Sequence, residues 1–143
     1  MHDSSFTLNI ELKQSPEIVF GHIIKVPEWW TKDFEGSCAN LFDEFVICHP
    51  GQHYSKQKVI QLISFKKIVW QVIDSELNWL ENKAEWTDTK MIFEISKNGN
   101  NTVLQFKHEG LIPTKQCYER VAQGWGIVIT QGLYNYITQA TTA

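Results

Sequence analysis

The chain has 143 residues, of which 43% are hydrophobic and 20% are charged, and its formal net charge is −3. This length and composition suffice for one domain with a sizeable core, so we predict a single domain over residues 1–143. A slightly acidic chain without concentrated Lys and Arg does not favour binding to nucleic acid or to an anionic membrane. Because the sequence has no apolar run of membrane-spanning length and no secretory signal pattern, we expect a cytoplasmic protein.

The first predicted elements are a strand and a short helix. Apolar and polar residues alternate from Phe6 to Leu12, which is the period of a strand with one buried face. Ser15-Pro16-Glu17 then offers an N-cap, a proline for the first helical position and an acid for the first turn. Pro27 is expected to end this helix, because a residue that precedes proline avoids helical geometry, and a second short helix is expected at Glu28-Trp29-Trp30-Thr31.

Between Phe34 and His108 the sequence is typical of antiparallel strands joined by hairpins. Turn residues stand at Pro50-Gly51, at 64–67 and at 98–101. They separate apolar segments at Phe45–Ile47, Val59–Ile63, Ile68–Ile73, Met91–Ile95 and Leu104–His108. The pattern weakens between Asp74 and Asp88, and within this segment Asn78-Trp79-Leu80-Glu81-Asn82 is predicted as loop. This pattern indicates about six strands after the short helices.

A long amphipathic helix is predicted from Thr114 to Ala140. Its apolar residues recur at steps of three and four and form one stripe: Tyr118, Val121, Trp125, Val128, Ile129, Gly132, Tyr136 and Ala140. Glycines at 124, 126 and 132 would weaken such a helix, so each needs a reason. One interpretation is close packing of the helix backbone on a neighbour, and the other is a cavity wall where missing side chains leave room.

Metal and cofactor sites are not indicated. Cys38, Cys48 and Cys117 lack paired spacing and are expected to be free thiols. His49 and His53 flank a hairpin turn and lack further metal-ligand spacing. No nucleotide-binding or nucleophile motif is present, so we assign no catalytic residue, no metal and no cofactor.

His108 allows two interpretations. It continues the buried alternation of Leu104 and Phe106, so it is either a satisfied core histidine or a polar contact in a cavity. If the chain were an enzyme, His108, Glu109 and Tyr118 would be the groups to suspect.

A series of motifs over nearly the whole length resembles the activator-of-Hsp90-ATPase-homologue-1-like family, in the START/Bet v1-like (SRPBCC) superfamily. The motifs are, in order, Ser15-Pro16-Glu17-Ile18-Val19-Phe20, Trp29-Trp30, Ile68-Val69-Trp70, Glu85-Trp86-x-x-Thr89-x-x-x-Phe93-Glu94-Ile95, Thr102-x-Leu104-x-Phe106-x-His108-x-Gly110-Leu111-x-Pro113, Cys117-Tyr118 and Gly124-Trp125. The resemblance implies an α+β helix-grip fold, in which a curved antiparallel sheet of about seven strands surrounds the long C-terminal helix, with two short helices after the first strand.

In many relatives a cavity between sheet and helix binds small molecules, so we expect non-enzymatic binding of a small hydrophobic or amphipathic ligand. The alternatives are a cyclase or hydratase that uses the same cavity, and a co-chaperone-like or stress-response module with a chaperone or other protein partner. Both monomer and homodimer remain open. The expected ligand-binding residues are Trp29, Trp30, Trp70, Phe93, Phe106, His108, Tyr118, Trp125 and Ile129, with His108 as the polar anchor.

Overall fold

The computed structural model describes residues 5–78, 80–81, 83–112, 115 and 118–140. For residue 140 it describes the backbone only. The elements are, in chain order, β1 (Phe6–Leu12), α1 (Pro16–Ile23), α2 (Val26–Trp29), β2 (Phe34–Gly36), β3 (Glu44–His49), β4 (His53–Ile63), β5 (Lys67–Leu77), β6 (Lys90–Asn98), β7 (Asn101–Glu109), α3 (Tyr118–Ile127), a π-helical segment (Val128–Leu133) and α4 (Tyr134–Ala140). Within this part of the chain, seven strands form one antiparallel sheet in the order β1-β7-β6-β5-β4-β3-β2.

The two short helices follow β1, as predicted, but their boundary differs. The Ser15 hydroxyl accepts a hydrogen bond from the Ile18 amide at 3.3 Å, and α1 runs to Ile23. Pro27 does not end this helix, because Val26 already begins α2 and Pro27 lies in its first turn. The first turn of a helix has no internal acceptor for its amides, so a proline there loses no hydrogen bond.

One face of the sheet is concave and buried beneath the C-terminal helix. Along β7, Leu104, Phe106 and His108 are fully buried and alternate with half-buried residues. The register places Phe106 opposite Phe93 of β6. Residues opposite each other in antiparallel strands point to the same side, so the predicted alternation of β6 and β7 is confirmed.

β4 and β5 are longer than the sequence pattern predicted. β4 starts at His53, and β5 continues to Leu77, into the segment in which the sequence pattern weakens. The inward-facing side chains of this added region include Ser55, Gln57 and Ser75, all buried. A buried face that is polar shows no hydrophobic alternation, and this explains the error. Trp79 and Asn82, from the same predicted loop, lie outside the described residues.

The C-terminal helix contains a π-helical segment in its middle. Its buried residues follow one another at steps of four: Val121, Trp125, Ile129, Leu133 and Ile137. In a regular α-helix such a row would rotate by about 40° per step, and the wider π-helical turn offsets this drift. The predicted start at Thr114 lies outside the described residues, and among those described the helix begins at Tyr118. No helix in the described ranges is long and apolar enough to cross a membrane.

Gly132 permits close contact between the C-terminal helix and α2. A Cβ at this position would stand 2.5 Å from the Trp29 carbonyl oxygen.

We therefore expect Gly132→Ala to destabilise the protein by about 1–3 kcal/mol. At Gly126 a Cβ would meet nothing within 4 Å, so Gly126→Ala should stabilise by up to about 1 kcal/mol through helix propensity. Urea unfolding of both variants checks this, and equal effects would contradict close packing at Gly132.

Candidate functional site

Aromatic rings fill most of the space between the C-terminal helix and the sheet. The ring centroids of Trp70 and Phe93 are 4.8 Å apart, those of Phe93 and Phe106 are 5.1 Å apart, and those of Phe106 and Trp125 are 4.6 Å apart. The ring centroid of Trp30 lies 5.0 Å from that of Trp125 and 6.4 Å from that of Trp70, so Trp30 connects the two ends of this series of rings. The centre of the domain is thus a packed aromatic cluster.

A pocket of about 190 Å³ lies beside this cluster, between α3 and the β3–β4 hairpin. Trp30, Trp86 and Trp125 provide aromatic walls, and α3 contributes Gly124 to the lining. The lining residues are Trp30, Ile47, His49, His53, Trp86, Arg120, Val121, Gly124, Trp125 and Val128. A Cβ on Gly124 would meet nothing within 4 Å, so the absence of a side chain there leaves room in the pocket.

Two histidines form a polar wall on the hairpin. His53 Nε2 lies 2.8 Å from the Ser55 hydroxyl, and the His53 ring packs edge-on against Trp86 with centroids 5.0 Å apart. Burial, with a smaller effect from His49, lowers the pKa of His53 to about 4. His53 is therefore neutral at pH 7. His49 lies at the more exposed edge and contacts Asp33 Oδ2 through Nδ1 at 2.7 Å.

Solved structures of other proteins share this architecture. The Aha1 dimer from Colwellia psychrerythraea is 21% identical, with 93% of this chain and 95% of that chain covered and a TM-score of 0.73. Protein MLL2253 from Mesorhizobium loti is 14% identical, with 96% and 100% covered and a TM-score of 0.72. CalU16 from Micromonospora echinospora is 13% identical, with 94% and 76% covered and a TM-score of 0.67. No protein-family model and no curated protein matches the sequence.

The chain has the helix-grip fold. At these identities the likeness shows the fold and carries no information about activity. The α+β architecture expected from the sequence, with its curved antiparallel sheet and C-terminal helix, is confirmed. Membership of the Hsp90-activator-like family stays a prediction.

The helix-grip core brings the predicted ligand-binding residues together only in part. Trp30 and Trp125 line the pocket. Trp29, Trp70, Phe93, Phe106 and Ile129 are buried in the packed core, and Tyr118 is half-buried against it. Sequence reasoning did not assign Ile47, His49, His53, Trp86, Arg120, Val121, Gly124 and Val128 to the site. In the sequence, His49 and His53 were weighed as metal ligands beside a hairpin turn, and Trp86 belongs to a family motif and to the tryptophans that could fill the core or line a cavity.

His108 is held in a closed hydrogen-bond network. The Thr89 hydroxyl donates to the Trp86 carbonyl at 2.6 Å, so its oxygen accepts from His108 Nε2, at 2.8 Å. Trp125 Nε1 donates to His108 Nδ1 at 3.0 Å. Burial, with a smaller effect from Lys115, lowers the pKa of His108 to about 3. These contacts correspond to the interpretation of His108 as a satisfied core histidine.

The described residues include no group of three or more His, Cys, Asp or Glu side chains that could hold a metal ion. Cys38 and Cys48 are free thiols, and Cys117 lies outside the described residues. Cys38 is buried and donates to the Ile24 carbonyl at 3.1 Å. Burial raises the pKa of the Cys38 thiol to about 11, so it is protonated and unreactive at pH 7.

Proposed function

We propose that this helix-grip domain binds a small amphipathic ligand in the pocket between α3 and the β3–β4 hairpin. The observation that carries the proposal is the combination of three tryptophan walls with one polar wall in a single concave site. Aromatic side chains give a ligand contact area with little loss of side-chain freedom. Convergent polar groups fix its orientation.

The pocket volume limits the size of the ligand. About 190 Å³ lies below the ~300–1,000 Å³ of sites that hold drug-sized molecules. An apolar cavity of roughly 150 Å³ accommodates benzene. We therefore propose a ligand of about one ring with a short substituent, smaller than a lipid or a polyketide.

The three groups suspected from the sequence, His108, Glu109 and Tyr118, are not placed to act on a ligand in this pocket. Both ring nitrogens of His108 are engaged, and protonation of Nδ1 would oppose the Trp125 N–H. Neither Glu109 nor Tyr118 lines the pocket. General acid–base catalysis requires a group within reach of the substrate, and these three groups do not meet that requirement.

Replacement of Gly124 tests the proposal. Gly124→Leu should fill the pocket without a backbone clash, because a Cβ at this position meets nothing within 4 Å. We expect it to weaken binding of acetophenone, a ring with a short substituent, at least tenfold in a tryptophan-fluorescence titration. Gly126→Leu is the matched control, since Gly126 lies on the same helix but not in the pocket lining. No binding to the native protein, or equal binding by both variants, would refute the proposal.

A second candidate is a protein-interaction role, supported by the adjacent exposed side chains of Leu41 and Phe42 between β2 and β3. The Aha1 neighbour is described as a dimer, and by analogy we propose that a second copy of this chain is the first partner to test. Analytical ultracentrifugation of the native protein and of Phe42→Ser tests this role. A native dimer that becomes a monomer in Phe42→Ser, together with no small-molecule binding, would favour it.

A further inference from the structure

His49 and Asp33 form a histidine–carboxylate pair at the edge of the pocket. His49 Nδ1 lies 2.7 Å from Asp33 Oδ2. A carboxylate accepts hydrogen bonds and does not donate them, so in neutral His49 the Nδ1–H donates to Asp33. The second ring nitrogen, Nε2, is then the basic one. A carboxylate that holds a histidine in this tautomer orients it as a general base.

The strand pattern directs the His49 side chain toward the pocket. His49 follows Ile47 by two residues on β3, and residues two apart on a strand point to the same face. The register pairs His49 with His53, and all three residues belong to the pocket lining. Asp33 is not part of this lining. The Nδ1 edge of the His49 ring is thus turned to Asp33, outside the pocket, and the edge that carries Nε2 is left for a ligand.

We propose that this pair hydrolyses a small aryl ester bound in the pocket, with His49 as the general base and Asp33 as its positioning residue. The inference rests on the proposed function and adds a reaction to it. The aryl ring would lie between the tryptophan walls, with the ester carbonyl beside His49. An ester of one ring and a short acyl group matches the volume of about 190 Å³.

The access of water favours hydrolysis over proton removal from carbon. The His49 side chain is 44% exposed, so solvent reaches it directly. Removal of a proton from carbon gains from a site that excludes water. At the edge of this pocket water is present, and it is the nucleophile that ester hydrolysis consumes.

His53 is less suited to be the base. Its Nε2 lies 2.8 Å from the Ser55 hydroxyl, which is itself buried. Burial also lowers the pKa of His53 to about 4. A group with a lower pKa accepts a proton less readily, so His49 takes this role.

The reaction balances with water as the co-reactant. His49 Nε2 takes a proton from water while the water oxygen bonds to the ester carbonyl carbon, and the carbonyl π electrons move to the carbonyl oxygen. Asp33 stabilises the imidazolium that forms. The carbonyl then re-forms, the bond to the aryl oxygen breaks, and His49 returns the proton to that oxygen. The products are a carboxylic acid and a phenol. Arg120 also lines the pocket, and its positive charge favours the negative oxygen of the intermediate.

Hydrolysis of phenyl acetate tests the role of His49. We expect the native protein to exceed free imidazole at equal concentration at least tenfold, and acetophenone to inhibit competitively. His49→Gln should lower the rate about a hundredfold, as is typical for loss of a general base. His22→Gln is the matched control and should keep the native rate, because His22 contacts Tyr136 and is not in the pocket lining.

Asp33→Asn tests the positioning role. The amide keeps the size of the side chain but removes the charge that stabilises the imidazolium. We expect kcat to fall at least tenfold and KM to change less than twofold, because Asp33 does not line the pocket. An unchanged kcat, or a loss confined to KM, would overturn the assignment of the pair.

Two further outcomes would contradict the inference. One is a native protein no faster than imidazole, and the other is His49→Gln with the native rate. Acetophenone binding separates the two possible failures. Binding without hydrolysis would overturn the inference and leave the pocket as a binding site, whereas absence of binding would refute the proposed function as well.

Discussion

Trp125→Ala should lower the free energy of unfolding by about 3–5 kcal/mol, as expected for removal of a fully packed tryptophan. The side chain is 3% exposed, and its ring contacts Phe106 and Trp30. Its indole also donates to His108 Nδ1 at 3.0 Å, so the substitution leaves a buried acceptor without a partner. Urea unfolding monitored by circular dichroism measures the change.

Trp125→Phe separates the two contributions of this side chain. It keeps a ring in the core but removes the hydrogen bond to His108. We expect a loss of about 1–3 kcal/mol, clearly below that of the alanine variant. An alanine variant that loses less than about 1 kcal/mol would contradict the central position of Trp125 in the core.

Acidification should destabilise the protein well above the pH at which its carboxylates protonate. Burial lowers the pKa of His53 from 6.5 to about 4 and that of His108 from 6.5 to about 3. Below pH 6.5 the unfolded chain therefore binds protons that the folded chain does not, and stability falls as the pH falls. Between pH 6.5 and 4 each histidine should contribute a loss of about 3 kcal/mol.

A series of urea unfolding curves from pH 7.5 to pH 4 tests this dependence. The stability contributed by the two neutral histidines is fully present above pH 6.5 and is lost toward their folded-state pKa values. His53→Gln removes one of the two titrating groups. The free energy of unfolding of this variant should therefore fall with decreasing pH about half as steeply as that of the native protein. A native protein whose stability is constant between pH 7 and 5 would show that neither histidine is buried in neutral form.

The fold was predictable where burial and apolar character coincide. β7 is an example, since Leu104 and Phe106 alternate with polar residues in sequence and with more exposed residues in space. Ser15 and Pro16 likewise marked the start of α1, because capping depends on local chemistry. Trp125 lies on the predicted apolar stripe of the C-terminal helix, and its burial agrees with that position.

The site was predictable only in part, because part of the concave face beside it is polar. Ser55 and Gln57 lie on the concave face of β4, yet their sequence has no apolar alternation that would indicate a half-buried strand. The aromatic residues were expected to surround a cavity, whereas most of them pack against one another. Hydrophobic periodicity predicts which rings are buried. It does not give the distances between them, and these decide which rings border open space. The sequence also could not tell the roles of the helix glycines apart. In the structure Gly124 leaves room in the pocket, whereas Gly132 permits backbone contact.

The most direct test of the pocket uses the indole N–H signals of the six tryptophans in a nitrogen–proton correlation spectrum. On titration with acetophenone, we expect the signals of Trp30 and Trp86 to move most, because both line the pocket. The Trp29 signal should move least, since its N–H donates to the Ile23 carbonyl at 3.0 Å and Trp29 is not in the lining. In Gly124→Leu these shifts should disappear. Shifts that persist unchanged in Gly124→Leu, or that leave Trp30 and Trp86 unaffected, would contradict ligand binding at this site.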